Sequence, residues 1–177
     1  QAANVLNTGF TTTGPDGSTL FATSHSLVNG GTFANRPSTD ADLSVATLQA
    51  GLIQFAKQVD DRNLLLAIQP RQLVVHVNDM YLAQELLRSP KKPYTADNEV
   101  NVLQGELSLN VNHFLTDTDA WFILSDKADH ELNFFWRRKV QDEHDNDFDT
   151  GDLKYKVTTR FSSGWSDWRG TYGSQGG

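Results

Sequence analysis

The 177-residue chain contains no cysteine. That excludes disulfides, thiolate zinc sites and cysteine nucleophiles, and it fits a reducing cytoplasm. No apolar run approaches the roughly 20 residues that a membrane helix requires. The opening Gln1-Ala2-Ala3-Asn4 has neither a basic region nor an apolar core, so it does not read as a signal peptide. It also lacks Met, and the expectation is a chain that begins downstream of a natural start, by processing or truncation. Positive charge is scarce: 15 Lys and Arg stand against 22 Asp and Glu, a net of −7. That balance argues against a protein that coats nucleic acid with a broad basic face. The small basic clusters Lys91-Lys92 and Arg137-Arg138-Lys139 read as solvated surface. There is no G-x-S-x-G and no phosphate-binding glycine loop.

What is present centres on residues 40–89, which read as helix, strand, helix. Val45, Leu48, Leu52, Phe55 and Val59 share one face at helical spacing. Pro37 to Asp40 signal the start, with Asp42 in the first turn. Leu64 to Ile68 is a short apolar run. Leu73-Val74-Val75-His76-Val77 is rich in β-branched residues and too short for a helix. Asn78 or Asp79 caps a second helix with Leu82, Ala83, Leu86 and Leu87 as its stripe, stopped by Ser89-Pro90. This unit is a scaffold, with nothing in it that looks like a reaction centre.

Around it, residues 1–13 suggest the last turns of a helix. Gly14-Pro15-Asp16-Gly17 and Asn29-Gly30-Gly31 are turns, with a short strand at Leu20-Phe21 and a loop from Thr32 to Pro37. Strand signals recur at Val102-Leu103, at Leu107 to Asn112, at Ala120 to Leu124, and at Leu132, Phe134 and Trp136. A longer two-faced strand runs from Leu153 to Phe161. Between the last two, residues 141–152 hold six carboxylates. They predict an exposed, mobile loop in which Phe148 is the one large apolar anchor. Gly173 to Gly177 predicts a flexible tail.

No two of His25, His76, His113, His130 and His144 are spaced to share a metal on one helix. His76 is expected as a hydrogen-bonded core or interface residue. Asp147-Phe-Asp149-Thr-Gly151-Asp152 lacks the sixth-position glycine and the closing glutamate of a calcium loop, so a solvated acidic loop is the better reading. Trp121 and Trp136 are assigned to the core. Trp165 and Trp168 flank a turn and suit a subunit contact. No residue is singled out as catalytic, cofactor-binding or metal-ligating.

The chain resembles the major capsid (head) proteins of tailed bacteriophages, in particular the Mu-like major head subunits. The resemblance rests first on Asn4-x-Leu6-Asn7-x-x-Phe10 and Gly14-Pro15-Asp16-Gly17-x-x-Leu20-Phe21-x-x-x-His25. It continues in Leu64-x-x-x-x-Gln69-Pro70-x-x-Leu73-Val74-Val75 with Ala83-x-x-Leu86-Leu87-x-Ser89. Asn98-x-x-Asn101 and Leu115-x-Asp117-x-Asp119-Ala120-Trp121-Phe122 carry it further, and Arg160 with Asp167-x-Arg169-Gly170 ends it. Such proteins usually have His-Pro at the position of His25-Ser26. The resemblance implies an α+β fold of mixed sheets with two main helices. Residues 1–39 would be the end of a spine helix and a peripheral-lobe hairpin. Residues 40–130 would be the axial lobe, and residues 131–177 the return strands of the peripheral lobe with a flexible tail. The arm, hairpin loop and most of the spine helix of such proteins would precede residue 1, leaving a chain that folds but does not close a shell. The implied function is structural, without enzymatic activity or cofactor. Copies would form pentamers and hexamers of an icosahedral head around double-stranded DNA, without sequence-specific contacts. Portal, scaffold and decoration proteins are further candidate partners. The place would be the virion, after assembly in the bacterial cytoplasm and away from membranes. The competing reading is a metal-dependent hydrolase built on the 142–152 loop, or a glycan-binding module using Trp165 and Trp168.

Overall fold

The structure, a computed structural model, describes residues 2–93, 99–146 and 149–177. Its elements in order are α1 (Ala2–Asn7), β1 (His25–Ser26), β2 (Thr32–Phe33), α2 (Val45–Ala56) and β3 (Pro70–Val75). A 3-10 turn (Val77–Asp79) leads into α3 (Met80–Arg88). Then follow β4 (Ser108–Val111), β5 (Trp121–Ser125), β6 (Leu132–Asn146), β7 (Leu153–Trp165) and β8 (Thr171–Ser174). This is an α+β architecture.

One four-stranded sheet, in the order β4-β3-β5-β8, forms the body. β3 and β4 are parallel and the other pairs antiparallel. The parallel pair needs a crossover, and α3 lies within it. Because side chains alternate across a sheet, both faces must be covered. Leu73, Val75, Trp121, Ile123 and Tyr172 point to one side, where Leu48 and Phe55 of α2 and Ala83, Leu86 and Leu87 of α3 close over them. Val74, Phe122 and Leu124 point to the other, under Val5, Leu6, Leu20, Phe21 and Trp168. Phe10, Phe21 and Phe122 form a three-ring cluster with centroids 5.0–5.8 Å apart. Each fully buried ring of this size contributes about 1.5–3 kcal/mol.

α2 starts one turn later than its sequence signals suggest. Ser44 is the N-cap, in a capping box closed by Thr47. Asp42 lies outside the helix, where its carbonyl accepts from Thr47 Oγ1 at 2.8 Å. The buried seam is Leu48, Gly51 and Phe55, with Leu52 at its margin. α3 buries Ala83, Leu86 and Leu87 as expected, but its cap differs: Asp79 stands at the N-cap without a side-chain cap bond, and His76 instead caps the preceding 3-10 turn by accepting from the Asn78 N–H at 3.1 Å.

Several expectations are corrected. Leu64 and Leu65, in the short apolar run 64–68, are exposed. Leu20-Phe21 is not a strand, although both side chains are fully buried, and β2 occupies part of the expected 32–37 loop. Val102-Leu103 is a turn; Leu103 alone of the two enters the core. The C-terminal glycine-rich stretch is not a free tail. Thr171 to Ser174 is an edge strand, held by Gln58 Nε2 donating to the Thr171 carbonyl (2.9 Å) and Ser174 Oγ donating to that of Ala41 (2.9 Å). Gly173 is required there: a Cβ would lie 2.8 Å from the Phe21 ring and 2.9 Å from that of Phe122.

Candidate assembly surface

β6 and β7 leave the body as a two-stranded antiparallel hairpin. At its base Trp165 lies against the backbone of Gly14, where an added Cβ would collide with the indole at 1.9 Å. Ser163 to Trp165 also face α1 across a cleft of about 300 Å³. Further out the contacts with the body end. From Phe134 to Asn146, and from Asp149 to Arg160 apart from half-buried Thr158, every described side chain is exposed. Residues 138–146 alone extend about 30 Å at strand geometry.

The distal half of this hairpin is the segment read from sequence as an acidic loop. Residues 141–146 pair with residues 153–158 in regular register; of the described residues of this segment, 149–152 lie outside the strands, with Gly151 in the left-handed region. The physical reason is cross-strand charge. Glu143 lies opposite Lys156 and Asp145 opposite Lys154, and the first pair is bridged at 3.7 Å. Opposite charges directly across a ladder favour pairing, even where the strand alone reads as self-repelling. Asp147 and Phe148 fall outside the described residues, so the apolar anchor and part of the calcium-like motif do too.

Two bulges, after Trp136 and after Arg138, place extra residues on β6. Residues paired across the ladder share a face, and alternation along uninterrupted β7 assigns the rest. One face carries Trp165, Phe161, Val157, Tyr155 and Leu153 of β7. Leu132, Phe134 and Trp136 of β6 join them, and beyond the bulges so do Asp142, His144 and Asn146. The opposite face carries Arg138 and Arg160, then Glu143, Lys156, Asp145 and Lys154. On the first face Phe134, Trp136 and Phe161 form a cluster with centroids 5.0–5.8 Å apart. Trp136, assigned to the core from sequence, is 50% exposed, and Leu153, Tyr155 and Val157 are 54–68% exposed. An exposed aromatic cluster continued by a row of exposed apolar side chains along β7 is what a protein–protein contact leaves when one partner is viewed alone.

The chain matches the family of phage capsid proteins over residues 1–174. It belongs to that family. A comparison with curated proteins returned no match. A phage capsid protein is a structural component of the virion, and an exposed arm with an apolar face accords with a subunit that works by contact with others.

The remaining candidates are placed as follows. In this capsid protein Trp168 is buried, stacked on His25 at 4.4 Å and on Phe33 at 5.4 Å. It therefore does not form an open platform with Trp165, as a glycan site would need. His25 is buried, with Nδ1 2.6 Å from Asp16 Oδ2 and Nε2 3.0 Å from Asn35 Oδ1. His113 and His144 are exposed and His130 half-buried. Burial depresses the His130 imidazole most, with Asp126 and Asp129 acting against it. Among the described residues no three His, Asp or Glu side chains converge as a metal would need. A cleft of about 390 Å³ between α1 and the start of β5 contains Asp117, raised by burial and by hydrogen bonding to and charge from Asp119. None of the described residues that line that cleft is a histidine or a cation. Sequence reasoning found both strands of the apolar face through their alternation. It missed that they form a single arm, because the charged half of β6 has no apolar periodicity of its own.

Proposed function

We propose that this chain is the repeating subunit of an icosahedral phage head of the Mu-like kind. In this reading it self-assembles through pentamers and hexamers into a shell that encloses double-stranded DNA. Residues 40–130 act as the axial lobe, and residues 1–39 and 131–177 as the peripheral lobe. The single observation that carries the reading is the hairpin: an arm with exposed aromatic and aliphatic side chains that the described residues leave uncovered. Exposing such a face has no stabilising effect on a monomer, whereas burial against a neighbour gives about 25 cal/mol for each Å² removed from water. The net charge of −7 suits a container that does not grip its contents, since like charges repel within a screening length of about 8–10 Å. Assembly takes place in the host cytoplasm, and portal, scaffold and decoration proteins are the expected further partners.

The test is electron microscopy of the protein expressed in a bacterial host from its full gene. Closed shells of uniform diameter are expected. A stable monomer at every concentration, with no particle in the lysate, would refute the reading.

A further inference from the structure

The arm leaves the body through a narrow root. Its two strands are joined there by the Ser166 N–H, which donates to the Glu131 carbonyl at 3.3 Å. Leu132 and Trp165, paired across the ladder, rest on the edge of the body's second apolar cluster. Open space lies beside both strands of the root. A cleft of about 300 Å³ borders Trp165, and another of about 230 Å³ borders His130 and Leu132; Val5 and Ser163 line both. An element anchored at so few points, with room beside each anchor, is built to pivot. His130 stands at this pivot, half-buried in the second cleft. The N–H of Leu132, the first residue of β6, donates to His130 Nδ1 at 3.3 Å. Only a ring nitrogen without a proton accepts such a bond, so it requires the neutral tautomer with hydrogen on Nε2. In the protonated ring both nitrogens are donors, and Nδ1–H then meets the Leu132 N–H donor to donor.

We infer that His130 is a pH-sensitive latch at the root of the arm: neutral, it holds Leu132 and with it the arm's direction; protonated, it lets go and the arm swings. The latch lies within one subunit and does not depend on what the arm meets in an assembly. The groups around the ring set the sense of the switch. Burial lowers the pKa of His130 most; its own backbone carbonyl, Asp126 and Asp129 raise it, Lys127 lowers it, and the net displacement is downward. The residues that other elements bring to the cleft, among them Ala3, Leu6, Asn112 and Leu124, include no titratable side chain. Glu131 is engaged with Asn133 Nδ2 and Ser166 Oγ. Arg169 adjoins Gly170, where an added Cβ would lie 3.1 Å from that of His130. Its guanidinium is bound to the Val59 carbonyl, Asp61 and Asp167. A histidine pKa lowered by docking means that docking is fully favoured above the ordinary value of about 6.5. That preference is lost as pH falls below this value toward the docked one. By reciprocal linkage, each unit between the released and docked values raises the released population about tenfold once the ring is protonated.

The absence of cysteine makes the test direct, because introduced thiols have no competitor. Spin labels are attached to Ile53→Cys on α2 and Tyr155→Cys on the arm, both exposed positions. The distance distribution between them is measured on the full chain at about pH 7.5 and about pH 5.5, either side of the ordinary histidine value. Hydrogen exchange of the unlabelled protein gives the protection factor of the Leu132 amide at the same two values. In the parent, the distribution is expected to broaden on acidification and Leu132 protection to fall about tenfold for each unit of pKa difference. His130→Asn keeps an acceptor for the N–H two residues on but does not titrate. It should stay docked and protected at both values. His130→Ala removes the acceptor and should be released at both. A parent whose distribution and protection are the same at both values overturns the latch. An acid response in His130→Asn equal to the parent's also overturns it, because another group then carries the response. So does an arm that stays docked in His130→Ala. If His130→Ala does not fold, the parent and His130→Asn decide alone.

Discussion

The side chain with the most demanding surroundings is Asn35. Its Nδ2 donates to the Leu20 carbonyl at 2.8 Å and to Thr171 Oγ1 at 3.3 Å, so its Oδ1 faces the other way. There it accepts from the Ala22 N–H at 3.0 Å and meets His25 Nε2 at 3.0 Å. One amide thus links the N-terminal segment to β8, 136 residues away. Asn35→Ala leaves several buried polar groups unsatisfied, at about 1–3 kcal/mol each. The expected loss is about 3 kcal/mol, read from the urea midpoint at unchanged slope; less than about 1 kcal/mol would mean that the site rehydrates. Asp40 ties the C-terminal end in a similar way. It accepts from the Gln175 N–H at 3.2 Å and pairs with the Arg36 guanidinium. Burial raises its pKa, but the Arg36 hydrogen bond, the Gln175 N–H and the Arg36 charge together outweigh burial and leave it below the usual carboxylate value. A depressed folded pKa contributes stability that is present above the unfolded value and lost as pH falls through the folded one. Asp40→Asn should therefore melt below the parent at neutral pH, and the gap should close as the solution is acidified below about pH 4. A gap that stays constant down to acid unfolding would show that the ion pair contributes nothing.

At the scale of elements, burial along α2 separates two leucines that the sequence treats alike. Leu48 is 0% exposed and lies in the seam against the sheet, whereas Leu52 is only half-buried at its edge. Leu48→Ala should cost about 2–5 kcal/mol and Leu52→Ala clearly less, measured by parallel denaturant titrations. Equal losses would place the helix at a different rotation. α2, β3 and α3 were legible because their apolar periodicity shows the buried face without reference to a partner. β8 was not legible. Thr171-Tyr-Gly-Ser has no pattern of its own, and its burial depends on Gln58, Ala41, Phe21 and Phe122, all remote in sequence. Gly173, read as a mark of flexibility, is instead where two rings approach the backbone. Of the candidate surface, β7 was legible from alternation. The charged end of β6 was hidden, since Glu143 and Asp145 become strand residues only when Lys156 and Lys154 stand opposite them.

On the scale of the whole molecule, body and arm are held by different forces. The body is a sheet covered on both faces by two apolar clusters. The arm beyond its base rests on its own ladder, on cross-strand charge and on one aromatic cluster that remains exposed. Stability should therefore be uneven along the chain. Amides of β3 and β5, central in the sheet, should exchange only on global unfolding, and those of residues 141–146 and 153–158 through local opening at much lower free energy. The sharpest consequence concerns shortening. Replacing residues 139–158 by a two-residue Asn-Gly turn removes the arm but leaves Trp165 on Gly14 and the Phe134, Trp136 and Phe161 cluster at the base. Few contacts with the body are lost, so the melting temperature should fall by no more than a few degrees, equivalent to about 1 kcal/mol. In the protein expressed from its full gene, particle formation should by contrast be abolished, because the deleted residues include Leu153, Tyr155 and Val157, exposed apolar groups that none of the described residues covers. Scanning calorimetry and electron microscopy on the same sample separate the two effects. A shortened chain that still closes shells would show that assembly runs through the body alone. One that unfolds would show that the arm stabilises its own subunit, contrary to the exposure of its side chains.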